Sequence, residues 1–125
     1  MAEQEMAGTG QAAQPTRLTV VSTATDSIRV LTLAGEIDYD TSPPLRQALD
    51  ASGTRRPRIV VDLSRVTFMD STGINLFIAA HRSLTQADGW IRLAAPTEAV
   101  MRLLQIVGVD AVIDCRETLR EALGP

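Results

Sequence analysis

The chain has 125 residues, 45% of them hydrophobic but only 3% aromatic, which implies one domain with an aliphatic core. Its net charge is −3, and every one of its twelve cationic residues is arginine; the broad basic footprint of a direct nucleic-acid binder is absent. One cysteine, Cys115, excludes an internal disulfide, and no run approaches the about 18 apolar residues of a membrane helix, so a cytoplasmic protein with no membrane partner is expected.

Residues 1–16 are rich in Ala, Gln and Gly, have no periodic apolar pattern, and read as a flexible N-terminal tail. Glu3 and Glu5, with no apolar segment beside them, do not read as a signal peptide. A single domain is expected over residues 17–125. Leu18–Val21 and Ile28–Leu33 are rich in β-branched residues and predict two strands joined by a hairpin turn at Thr25-Asp26-Ser27. The imperfect alternation of the second strand implies that both its faces are covered. Gly35 to Asp40 is expected to break that strand. Thr41 or Ser42 is positioned to cap a helix whose first turn accepts Pro43 and Pro44, and which runs through Leu45, Ala48 and Leu49 to about Ala51. Ser52-Gly53 stops it, and Arg55-Arg56-Pro57 is a connector.

The apolar run Ile59-Val60-Val61-Asp62-Leu63 predicts a buried strand, expected over Arg58 to Leu63. A polar turn, Asp70-Ser71-Thr72-Gly73, precedes a helix whose stripe is Ile74, Phe77, Ile78 and Leu84, with His81 on its edge. Asp88-Gly89 reads as a turn and Trp90–Ala94 as a strand. Pro96 opens a third helix capped by Thr97, with a stripe of Val100, Leu103, Leu104 and Val107, and Gly108 ends it. Val112–Cys115 reads as a last strand, and Arg116–Leu123 as a terminal helix with Leu119, Ala122 and Leu123 facing inward. The alternation of strands and helices implies an α/β fold: a mixed sheet of about five strands against about four helices.

The chemistry concentrates in Phe68-Met69-Asp70-Ser71-Thr72-Gly73-Ile74. Two hydroxyls and a carboxylate stand where a helix begins, and its unpaired N–H groups favour a phosphate. Competing readings of these and other residues fail on spacing. Asp70-Ser71-Thr72-Gly73 has two residues between Asp and Gly, where an aspartic protease has one, and lacks a second carboxylate. A hydrolytic role for Ser71 needs a base, and His81, the only histidine, lies ~15 Å along the helix. His81 has no second ligand for a zinc site. Cys115 and Arg120 are one residue short of a Cys-to-Arg phosphatase loop and have no Gly between them. Asp38-Tyr39-Asp40-Thr41 has no lysine to steady a phosphoaspartate. No catalytic residue, metal or cofactor is expected.

Three stretches together carry a resemblance: Gly35-Glu36-Ile37-Asp38 with the helix from Ser42 to Ala48; Val61-Asp62-Leu63-Ser64 with Phe68-Met69-Asp70-Ser71-Thr72-Gly73; and Arg102-Leu103-Leu104-Gln105-Ile106-Val107-Gly108-Val109. In order and spacing they resemble the STAS domain, and within it the stand-alone bacterial anti-sigma factor antagonists, over about residues 17–123. The resemblance implies the STAS fold and a partner switch. The chain would bind an anti-sigma factor with serine kinase activity and release a sigma factor. The kinase would phosphorylate Ser71, the residue after the motif's Asp, and so end the binding; a PP2C-type phosphatase would restore it. Thr72 stands beside Ser71 as a competing acceptor, and Asn75 stands where many relatives have Gly. The resemblance makes Glu36, Asp38, Asp70, Ser71, Thr72, Gly73 and Asn75 the partner-binding surface of a monomer or weak dimer. The alternative is a STAS subunit serving another system, such as the cytoplasmic partner of a lipid-transport ATPase.

Overall fold

A computed structural model describes residues 17–125; the expected tail over residues 1–16 lies outside the described residues. Five strands form one sheet in sequential order: β1 (Leu18–Thr25), β2 (Ile28–Ile37), β3 (Arg58–Met69), β4 (Trp90–Ala94) and β5 (Asp114–Arg116). β1 and β2 are antiparallel, and every later neighbour pair is parallel. The parallel strands are joined through α1 (Ser42–Leu49), α2 (Ser71–Gln86) and α3 (Glu98–Ile106), and α4 (Leu119–Leu123) closes the described chain. This is the mixed five-stranded sheet with four helices expected from the sequence.

The hairpin forms because Asp26 and Ser27 both adopt positive φ, 51° and 67°, between paired Thr25 and Ile28. That is the backbone of a tight two-residue turn matching the twist of the strands. Along β3 the pleat separates two cores. Ile59, Val61 and Leu63 join Leu31, Leu33 and Leu93 beneath α1, α2 and α3, where Leu45, Phe77 and Leu104 are fully buried. Val60 points the other way, with Ile28 and Ala94, against Ala122 of α4. Burial of each such Leu or Phe contributes ~1.5–3 kcal/mol, and the core is aliphatic around one phenylalanine.

Arginines tie helix ends to the sheet. Arg29 on β2 donates to the carbonyls of Ala48 and Asp50 at 3.0 and 3.4 Å. Arg92 on β4 donates to Ala122 and Gly124 at 2.9 and 2.6 Å. Both place a cation where a helix leaves its last carbonyls unpaired.

Several boundaries differ from the sequence reading. β2 does not break at Gly35 but continues to Ile37, with its register to β3 shifting between Gly35 and Glu36. Gly35 has φ +113° and lies so close to Arg17 that a Cβ would meet the Arg17 carbonyl oxygen at 1.9 Å; glycine lets the strand pass there. β3 runs past Leu63 to Met69 because residues 65–69 keep pairing with β2. α1 ends at Leu49, before Ala51. Asp70–Gly73 is not a free turn: α2 begins at Ser71. Its buried stripe takes Ala80, with His81 half-buried beside it. In α3, Thr97 caps as expected, through the Val100 amide, but Val107 is 50% exposed. A 3-10 turn at Val109–Ala111 takes the chain into β5, which therefore starts at Asp114 and not at Val112. Thr118 caps α4 through the Glu121 amide, so this helix starts at Leu119 and not at Arg116.

Candidate functional site

The parallel pairing of β2 with β3 sets Glu36 beside Phe68 and Ile37 beside Met69. The carboxyl ends of two central strands therefore lie side by side, the usual place for function in a parallel sheet. The Asp70 amide continues the join by donating to the Ile37 carbonyl at 3.2 Å. Asp70 then caps α2: its Oδ1 accepts from the Thr72 amide at 2.8 Å. The cap satisfies one of the first-turn donors of α2. Among the described residues the Ser71 and Gly73 amides have no acceptor.

Ser71 is the first helical residue and is exposed, and its hydroxyl makes no hydrogen bond among the described residues. Asn75, one turn on, is also exposed, so it shares that face of α2. Thr72 is half-buried. Gly73 faces inward, where a Cβ would lie 2.6 Å from Met69 Cγ and 3.0 Å from Ile37 Cγ2. The glycine lets α2 start directly against the strand ends, which fixes Ser71 at the surface.

Beside this cap lies an acidic rim. The Asp38 amide donates to Thr41 Oγ1 at 2.8 Å, and the Thr41 amide returns a bond to Asp38 Oδ1 at 3.0 Å. Thr41 is the residue before α1, yet its hydroxyl does not cap that helix; it donates instead to the Glu36 carbonyl at 2.9 Å. Arg17 clamps the rim, reaching Asp38 Oδ2 at 2.8 Å and Glu36 Oε1 at 3.1 Å, with Asp40 at 3.8 Å. The Arg17 guanidinium, with help from the Thr41 amide, holds the Asp38 carboxyl below the usual aspartate range. Tyr39 is 77% exposed and Phe68 48% exposed, so apolar surface is interleaved with the carboxylates.

All seven residues singled out from the sequence are thus located. Asp70, Ser71, Thr72, Gly73 and Asn75 form the start of α2, and Glu36 and Asp38 lie across the adjoining strand end. Phe68, from the same stretch as Asp70, and Tyr39 and Thr41, from Asp38-Tyr39-Asp40-Thr41, adjoin them; Arg17 is the residue beside them that the sequence does not single out. The sequence offers Thr41 as a helix cap or as part of Asp38-Tyr39-Asp40-Thr41, and nothing in it pairs Arg17 with residues some twenty positions away.

A family model of the STAS domain matches residues 19–122. The chain belongs to the STAS domain family. The anti-sigma-B factor antagonist of Listeria monocytogenes is 33% identical to it over 101 residues, covering 80% of this chain and 88% of that protein. An anti-sigma factor antagonist from Mycobacterium paratuberculosis has a crystal structure similar to it with a TM-score of 0.78, at 31% identity, covering 89% of this chain and 95% of that one. The Bacillus cell fate determinant SpoIIAA in its phosphorylated form shares the fold, with a TM-score of 0.65 at 23% identity over 84% of this chain and 96% of that one. In this STAS domain the strand–Asp-Ser–helix junction is therefore part of a fold that similar regulatory proteins also use. No described helix is long and apolar enough to cross a membrane.

Proposed function

We propose that this STAS domain is a cytoplasmic anti-sigma factor antagonist, without catalysis of its own, switched by phosphorylation of Ser71. Its partner is an anti-sigma factor with serine kinase activity, and binding it frees a sigma factor. The observation that carries the reading is the Ser71 hydroxyl: exposed, free of hydrogen bonds among the described residues, and held on a capped helix start. The names of the relatives support the same function.

The chemistry asks little of this chain. Ser71 Oγ would attack the γ-phosphorus of ATP held by the partner; the partner takes the hydroxyl proton and ADP leaves. Thr72, half-buried, is the poorer acceptor. A PP2C-type phosphatase would hydrolyse the ester and restore the hydroxyl. Glu36, Asp38, Asp70, Gly73 and Asn75 form the docking surface around it.

The phosphate adds about −1.5 to −2 charge at neutral pH. The α2 N-terminus favours it by ~0.3–1 kcal/mol, while the adjacent Asp70 opposes it. These effects offset one another, so the drive to change conformation is small. The switch acts at the docking surface, where a like-charge contact out of water costs several kcal/mol. Capture of partners from the native cells tests this with Ser71→Ala and Ser71→Glu as baits. The alanine form should retain a kinase-fold anti-sigma factor and the glutamate form should bind it at least about tenfold more weakly, ~1.4 kcal/mol. Equal retention by both would overturn the reading.

A further inference from the structure

At the opposite end of the sheet, where β2, β3 and β4 begin, three connections converge on an open cleft of about 880 Å³. Arg29, Arg55, Arg56 and Arg58 line it, with Trp90 on its wall and Asp88 as its one carboxylate. A third of the chain's twelve cations thus meet one of its fifteen acids, in a protein of net charge −3. Clefts with walls of one sign focus the field and attract counter-ions.

The cleft is built, not a loose surface. The Arg56 backbone takes a positive φ of 50° and its amide donates to the Ala87 carbonyl at 3.2 Å. The Trp90 amide donates to the Pro57 carbonyl at 2.9 Å, and a Cβ on Gly89 would meet that same carbonyl oxygen at 1.9 Å. Glycine is what lets the α2–β4 turn close against the arginine loop. Arg92 lies over the Trp90 ring, 3.9 Å from its centroid, and so holds the indole in place. Arg29 is engaged with the end of α1, but the guanidinium groups of Arg55, Arg56 and Arg58 make no ion pair or hydrogen bond among the described residues.

We infer that this cleft binds a small polyphosphorylated anion. Guanidinium forks match phosphate oxygens two at a time, and three unengaged ones on four consecutive residues suit linked phosphates better than a single carboxylate. The volume falls within the range of small-molecule sites. The site is remote from Ser71 and independent of the proposed switch.

Trp90 is the only tryptophan, so its fluorescence reports on this cleft alone. The full chain is titrated with inorganic tripolyphosphate, with sulfate at matched ionic strength and with a polyglutamate peptide. The expected result is a saturable change with tripolyphosphate, at least tenfold weaker in Arg55→Gln/Arg56→Gln and unchanged in Arg82→Gln on the α2 surface. Circular dichroism confirms the fold of each variant, and Arg55→Gln alone should show an intermediate loss. No saturable change, an equal response to sulfate, a stronger response to polyglutamate, or undiminished binding by the double variant would overturn the inference.

Discussion

Gly73 lies directly over Met69, so close that a Cβ on the glycine would fall 2.6 Å from Met69 Cγ and 2.7 Å from its sulfur. Met69 is buried, so its side chain has little room to yield. Alanine would gain ~0.5–1 kcal/mol of helix propensity, yet overpacking costs ~1–3 kcal/mol. Gly73→Ala should therefore destabilise the domain by ~1 kcal/mol in urea unfolding. In a Met69→Ala background the same substitution should cost less, since the Met69 contact is gone and only Ile37 Cγ2, 3.0 Å away, stays close.

Asp70 has a structural task apart from any signalling one. Its carboxylate accepts from the Thr72 amide at 2.8 Å. Asp70→Ala should cost ~1 kcal/mol, while Asp70→Asn, which keeps an acceptor, should cost only a few tenths. Equilibrium unfolding of the two variants measures the difference.

The Arg17–Asp38 pair gives the rim an acid-sensitive contact. Asp38 titrates below its usual range, chiefly through its hydrogen bond from Arg17. A carboxyl whose folded pKa is lower than its unfolded value stabilises the fold above the unfolded value, near ~3.9, and loses that contribution as pH falls through the folded one. Arg17→Gln should raise the Asp38 midpoint in an NMR titration and flatten the loss of stability below about pH 4. The pair is at the surface, so added salt should shrink the effect.

Cys115 is half-buried on β5, and burial together with Asp110 and Asp114 pushes its thiol up to about 11. Only the thiolate reacts with alkylating agents. Iodoacetamide at about pH 8 should modify the folded protein far more slowly than the denatured chain, whose thiol lies near ~8.5.

Much of the fold was legible because periodicity and turn chemistry agree: Asp26-Ser27 and Asp88-Gly89 turn as read, and Thr97 caps α3. The errors have physical causes. The sequence reads β3 as ending with the apolar run at Leu63; in the structure Ser64 and Arg65 are exposed and the Ser64 amide donates to Asp62 Oδ1 at 2.9 Å, yet the strand goes on. The strand is extended by its partner, since Glu36–Phe68 and Ile37–Met69 pair across the sheet. Gly35 read as a breaker when it is the point where β2 passes the Arg17 carbonyl. The helix after Asp70–Gly73 was legible from its apolar stripe, but those four residues read as a turn before it, whereas Asp70 caps a helix that already begins at Ser71. The rim around it was legible only in part, because Arg17 reaches Asp38 through tertiary structure.

Phosphate transfer to Ser71 tests the proposed switch most directly. The wild-type chain is incubated with its captured partner and ATP, digested with trypsin, and the peptide from Val66 to Arg82 is sequenced by mass spectrometry. The expected result is one phosphate, on Ser71, that persists in Thr72→Ala and disappears in Ser71→Ala. A phosphate that stays in Ser71→Ala, or an unmodified peptide with a partner shown to bind ATP, would contradict it.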